Sequence, residues 1–170
     1  KPGNGETRIV PVCQSTTYKY DSAEHVAQLF DRPDKGHIYS RISNPTVAAL
    51  QDKIAALEGG VGALCTSSGQ AANLIAIMNI CECGDHIVSS STIYGGTFNL
   101  LNVTLRKIVI DFTFIYQDDP EEEIQKAFKP NTKLLFGESI ANPKISVLDI
   151  EKFARIAHKN GVPLIVDNTF

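Results

Sequence analysis

Asp167 stands in the tetrapeptide Val166-Asp167-Asn168-Thr169, directly after an apolar run, which places a carboxylate at the mouth of what reads as a buried parallel strand. Ligands of α/β sheets gather outside the carboxyl ends of the strands, and a carboxylate there can act as counter-ion to a protonated ring nitrogen. Three further segments carry groups of matching chemistry. Cys65-Thr66-Ser67-Ser68-Gly69-Gln70-Ala71-Ala72 passes from an expected strand through small residues into an expected helix, so free N–H groups and hydroxyls converge. Such a turn is either an anion cup or a plain strand-to-helix turn with a capping serine. Tyr39-Ser40-Arg41 offers a phenol and a planar guanidinium fork suited to phosphate oxygens; a solvated or carboxylate-paired surface pair is the alternative. Tyr94-Gly95-Gly96-Thr97-Phe98 follows another expected strand, where a tyrosine ring can lie against a flat ligand or simply fill a turn. Glu138, Asn142 and Pro143 close the next strand, so four strand ends are expected to offer polar groups on one edge.

Other chemistries lack their signatures. The chain has neither GxGxxG nor GxxxxGK[ST], which argues against dinucleotide and P-loop sites and against a small nucleotide-binding domain. Cys13, Cys65, Cys81 and Cys83 show no CxxC spacing and read as reduced, buried thiols. His25, His37, His86 and His158 have no metal-ligand spacing, so no metal is expected. Glu121-Glu122-Glu123 after Pro120 reads as the acidic first turn of a helix. The only lysine near a proposed ligand, Lys144, reads as a surface residue.

The elements that must position these groups follow from periodicity. Strands are expected near 61–66, 86–90, 108–115, 133–137 and 162–166. Between them, Leu74, Ile75, Ile77 and Met78, then Phe98, Leu101 and Leu105, then Ile124 and Phe128, then Ile150, Phe153, Ala154 and Ala157 recur at helical spacing. This alternation implies an α/β fold with a mostly parallel sheet flanked by helices. Before it, Asn44 as cap, Pro45 in the first turn, the stripe Val47, Leu50, Ile54 and Leu57, and Gly59-Gly60 define a helix. Residues 1–43, with Pro2, Pro11 and Pro33 and no sustained apolar period, read as an extended arm that must lie on something else, such as a neighbouring subunit.

Composition sets the outer bounds. At 170 residues, 43% hydrophobic, 21% charged and a net charge of −3, the chain is of ordinary globular type and too acidic for nucleic acid. It has no membrane-length apolar run, and the opening Lys1-Pro2-Gly3-Asn4-Gly5 lacks a secretory apolar region, so a cytoplasmic location is expected.

Together, Tyr39-Ser40-Arg41-Ile42-Ser43-Asn44-Pro45-Thr46, Leu57-Glu58-Gly59-Gly60, Ser67-Ser68-Gly69-Gln70-Ala71, Tyr94-Gly95-Gly96-Thr97 and Val166-Asp167-Asn168-Thr169 resemble the Cys/Met-metabolism enzymes dependent on pyridoxal 5'-phosphate. The resemblance implies the large domain of an aspartate-aminotransferase-like transferase over 44–170, preceded by the arm over 1–43. It assigns Ser68, Gly69 and Gln70 to the cofactor phosphate, with Tyr39 and Arg41 reaching that phosphate from the adjacent subunit. Tyr94 would stack on the ring and assist the leaving group, Asn142 would sit near the phenolic oxygen, and Asp167 would pair with the ring nitrogen. Glu138 and Thr169 would support them. Within the family, Gly96 stands where methionine γ-lyases characteristically carry a cysteine, which favours γ-replacement on O-acetyl-L-homoserine by sulfide or a thiol. Products would be homocysteine or methionine plus acetate, from a homotetramer built of dimers with shared sites. A cystathionine γ-synthase, a methionine γ-lyase or a catalytically incompetent cofactor-binding fragment are the alternatives. The family's Schiff-base lysine lies beyond the aspartate and has no counterpart among these residues, so the chain is expected to be the N-terminal part of a longer polypeptide, inactive alone.

Overall fold

The structure, a computed structural model, describes residues 7–32 and 35–170. Pro2, Pro33 and the opening Lys1–Gly5 segment lie outside the described residues. Contacts divide the chain into two compact units, residues 1–65 and 66–170.

The first unit contains α1 (Ala23–Asp31) and α2 (Pro45–Glu58). The expected purely extended arm is corrected by α1. Ser22 caps this helix by accepting from the His25 N–H, Glu24 complements the dipole, and Leu29 is buried. The start of α2 is as expected, with the Asn44 side chain accepting from the Thr46 N–H and Pro45 in the first turn. It ends as expected too, with Gly59 left-handed at φ 64. Its apolar stripe is not buried: Val47, Leu50, Ile54 and Leu57 are 42%, 51%, 42% and 72% exposed.

The second unit holds one parallel sheet of β1 (His86–Ser90), β2 (Asp111–Ile115), β3 (Thr132–Glu138) and β4 (Leu164–Asp167), in the order β2-β1-β3-β4. No strand forms over 61–66, a correction to the sequence expectation. Val61 and Leu64 are 113% and 69% exposed and Gly62 interrupts the segment, so it has neither a buried face nor a ladder partner. β2 begins later than expected because residues 105–108 form a 3₁₀ turn closed by Val109 in the left-handed region at φ 61. β4 is half-buried at the sheet edge rather than fully buried.

Alternation along the strands supplies a core on each face. Ile87, Leu134, Phe136 and Phe112 pack with Ile77, Leu101 and Leu105, from α3 (Gly69–Ile80) and the helical turns that follow α4 (Gly95–Asn99). Val88, Leu135 and Ile115 pack with Ile124 of α5 (Glu121–Gln125) and with Phe153, Ile156 and Ala157 of α6 (Ile150–Lys159). The chain leaves β1 towards β2 across the first face and β3 towards β4 across the second. The carboxyl ends of β1 and β3 therefore flank a topological switch point, where open α/β sheets form their ligand crevice.

At the opposite edge His86 is fully buried, with Nδ1 2.8 Å from Thr132 Oγ1 and Nε2 2.9 Å from Thr113 Oγ1. Burial, then the nearby Lys129, push its pKa below the ordinary value. It is a structural histidine bonded at both nitrogens, and it lies at the sheet end away from the site.

Candidate active site

A cavity of ≈ 360 Å³ opens at the carboxyl ends of the strands, and its lining includes Ser68, Gly69, Gln70, Tyr94, Asn142 and Asp167. Glu138, Thr169 and Phe170 complete much of the wall. Residues from three strand ends and one helix start thus meet in one space, as the sequence suggested for all but the absent first strand.

At one end lies the start of α3. Ser68 is its cap, the hydroxyl accepting from the Ala71 N–H at 3.1 Å, while the Ser68 carbonyl accepts from the Ala72 N–H. The N–H groups of Gly69 and Gln70 have no acceptor among the described residues, as expected of a helix first turn. Two unsatisfied donors on a positive helix end form an anion seat. The Gln70 side chain is occupied elsewhere, donating to the buried Thr97 hydroxyl at 3.0 Å, so only its main chain is free for an anion.

At another edge is the Asp167 carboxylate. Its Oδ1 accepts from the Thr169 N–H at 3.2 Å and from the Thr169 hydroxyl at 2.6 Å. Its Oδ2 accepts from the Asn73 amide at 2.9 Å. A carboxylate has about four lone-pair sites, so these three donors leave Oδ2 with capacity for one more. No cation bridges it among the described residues. Asn73 went unnoticed in the sequence because an asparagine inside an apolar helix carries no local signal; its meaning lies in a contact 94 residues away. Thr169, expected beside the cofactor, lines the cavity with its hydroxyl committed to Asp167.

Tyr94 and Asn142 line the same cavity. The Tyr94 side chain is 48% exposed, and its ring stands over Gly96, where an added Cβ would lie 2.5 Å from Cε1. Glu138 joins the two loops: Oε1 accepts from the Tyr94 N–H at 2.6 Å and Oε2 from the Asn142 N–H at 3.4 Å. Burial raises the Glu138 pKa against these two hydrogen bonds, with the nearby Asp167 charge adding to the rise. Lys144 is exposed, and among the described residues no group of His, Cys, Asp and Glu could hold a metal ion. The cysteines are free thiols, but the expectation that they are buried is corrected: Cys65 and Cys83 are exposed, Cys13 is half-buried, and only Cys81 is buried, where burial pushes its pKa up to about 11.

Tyr39 and Arg41 belong to the first unit, where the Arg41 guanidinium lies 5.4 Å from the Tyr39 ring centroid. Their loop is tightly tied. Tyr39 bridges Thr17, the Ser40 hydroxyl donates to the Ser15 carbonyl, and the buried Asn44 amide donates to Ser40 Oγ and to the Cys13 carbonyl, both at 3.0 Å. Arg41 itself is exposed.

An anion seat and a carboxylate without a cationic partner on one cavity, with an aromatic side chain also in the lining, suit a flat molecule bearing a phosphate and a protonated nitrogen. The fold is an α/β protein with its ligand crevice at the switch point of a parallel sheet. Comparison with known proteins agrees. The model of the Cys/Met metabolism PLP-dependent enzyme family matches residues 1–170. The chain is 52% identical over 162 residues to O-acetyl-L-homoserine sulfhydrylase of Corynebacterium glutamicum, covering 95% of this chain and 37% of that protein. It is 45% identical over 171 residues to homocysteine/cysteine synthase of Saccharomyces cerevisiae, covering 99% and 38%. A solved Campylobacter jejuni structure superposes with a TM-score of 0.88 at 39% identity, covering 94% of this chain and 39% of that one. It is described as an O-acetylhomoserine (thiol)-lyase and carries N'-pyridoxyl-lysine-5'-monophosphate. The chain belongs to the Cys/Met-metabolism family of pyridoxal-phosphate-dependent enzymes, and it spans less than two-fifths of the length of these curated relatives.

Proposed function

We propose that the polypeptide carrying this chain catalyses γ-replacement on O-acetyl-L-homoserine, in which sulfide or a thiol displaces acetate to give homocysteine or methionine. The observation that carries the reading is the shared cavity of the α3 first turn, Tyr94 and Asp167; the names of the relatives supply the reaction class. When bound, pyridoxal 5'-phosphate supplies an electron sink for charge released at the substrate carbon. The residues present fit that group. Gly69 and Gln70 would hold its phosphate by their main-chain N–H groups, with the Ser68 cap keeping the turn open. Asp167 would hold a proton on the ring nitrogen through Oδ2, because a cationic N–H donor finds there a free lone pair on an anion. Tyr94 would cover the ring and exclude water from one face, and Asn142 would offer its side-chain amide beside it. Tyr39 and Arg41 would complete the phosphate contacts from a neighbouring subunit, in a homotetramer of shared-site dimers located in the cytoplasm.

The test is turnover by the full-length polypeptide, comparing O-acetyl-L-homoserine plus sulfide with methionine alone. Homocysteine and acetate released in equal amounts are expected. Vigorous methionine cleavage without activity on O-acetyl-L-homoserine would overturn the assignment in favour of a γ-lyase.

A further inference from the structure

Asn73 breaks the local rule of its helix. It sits mid-helix on the buried side of α3, four residues before the fully buried Ile77, where a leucine would favour both the helix and the core. Burying an amide without partners is costly. The fold accommodates it through one long-range bond, from Nδ2 to Asp167 Oδ2. A lysine or arginine in this place would also restrain the carboxylate but would use up its charge. An amide brings no charge, so the carboxylate is oriented while its negative charge stays available to a ligand. Thr169 restrains the other oxygen from the strand's own loop, so the carboxylate is held from two independent elements.

The same helix supplies the anion seat. Gly69 and Asn73 are one turn apart, about 6 Å along the axis at 1.5 Å per residue, and a helix is stiff over that length. We infer that Asn73 is a positioning residue: it locks the Asp167 carboxylate to the helix whose first turn takes the phosphate, and so fixes the separation between the anion end and the cation end of the bound ligand. The inference rests on the reading of the cavity as a pyridoxal-phosphate site, and it adds a residue that acts on the cofactor only through Asp167.

Two ligands separate this role from a structural one. In the full-length polypeptide stripped of cofactor, binding of pyridoxal 5'-phosphate and of inorganic phosphate is titrated for the wild type, Asn73→Leu and Asn73→Asp. Inorganic phosphate needs only the phosphate contacts, the α3 first turn with Tyr39 and Arg41, whereas the whole cofactor also needs Asp167. Asn73→Leu is expected to weaken pyridoxal 5'-phosphate about tenfold, as for loss of one hydrogen bond to a charged group, and to leave phosphate binding unchanged. Asn73→Asp places a second carboxylate against the first, and its cofactor affinity is expected to recover as pH falls and one of the two takes a proton. Equal cofactor affinity in wild type and Asn73→Leu overturns the inference, and so does parallel loss of both ligands, which marks a packing role alone. Should Asn73→Leu fail to fold, the isosteric Asn73→Asp decides: a pH dependence no different from wild type overturns it. A wild type that binds no pyridoxal 5'-phosphate sinks the reading of the cavity instead.

Discussion

Gly96→Ala isolates the placement of the Tyr94 ring from everything else in the site. An alanine Cβ at position 96 would lie 2.5 Å from Tyr94 Cε1, 3.0 Å from Cδ1 and 3.4 Å from Cζ. The shortfall from 2.5 Å to 3.4 Å, where ordinary contact begins, is 0.9 Å, so the ring must shift by about that much. The shift is cheap for the fold, since the side chain is 48% exposed and can rotate into open space. Alanine also favours the helical backbone of α4 by roughly 0.5–1 kcal/mol over glycine. Stability should therefore stay within about 1 kcal/mol of wild type. Function should not, because displacing a positioning group by about 1 Å can lower turnover on the order of 100-fold, about 2.7 kcal/mol in the barrier. The assay pairs thermal denaturation with kcat/KM for O-acetyl-L-homoserine and sulfide in the full-length polypeptide. Unchanged kcat/KM would refute the role given to the ring, and a loss of several kcal/mol in stability would mean that backbone, not the ring, gives way.

Arg41→Ala should weaken retention of pyridoxal 5'-phosphate in the assembled enzyme several-fold, measured by equilibrium dialysis; unaltered retention would remove the shared-site contact. Glu138→Gln should leave stability at neutral pH equal to wild type or higher, since a buried carboxylate without a cationic partner is costly. Its amide would meet the Asn142 N–H with a donor of its own, so cofactor affinity should fall, and undiminished affinity would mean the loops hold themselves. His86 is expected to make the fold acid-sensitive. Its folded pKa lies below 6.5, so the unfolded chain binds the proton first, and stability is full above pH 6.5 and declines as pH falls beneath it. The slope approaches 1.4 kcal/mol per pH unit for one proton. Urea midpoints at pH 7.5 and 5.5 test this, and His86→Gln should flatten the difference; an equal difference in both proteins would contradict it.

The parallel sheet is legible because β1, β2 and β3 lie in short runs rich in β-branched and aromatic residues separated by helical periods, and because each buried face needs its own helices. The 61–66 segment reads as a strand because Val61, Ala63, Leu64 and Cys65 make a short apolar run, whereas pairing depends on neighbours that composition does not reveal. α1 was missed although Ser22 and Glu24 mark its start, since the prolines around it made the whole region read as extended. Within the site, Asp167, Tyr94 and the Ser68-Gly69-Gln70 turn were readable from their places at element ends. Asn73 and the staple role of Glu138 were not. Asn73 works through a partner 94 residues away, and Glu138 bonds to main-chain N–H groups that every residue except proline possesses, so neither leaves a motif.

The proposed chemistry requires one ligand to span the α3 first turn and the Asp167 carboxylate. A crystal structure of the full-length polypeptide with pyridoxal 5'-phosphate tests this. Phosphate oxygens are expected on the Gly69 and Gln70 N–H groups, and the ring nitrogen about 2.7–2.9 Å from Asp167 Oδ2. A phosphate seated away from α3, or a ring nitrogen facing any group other than Asp167, would contradict it.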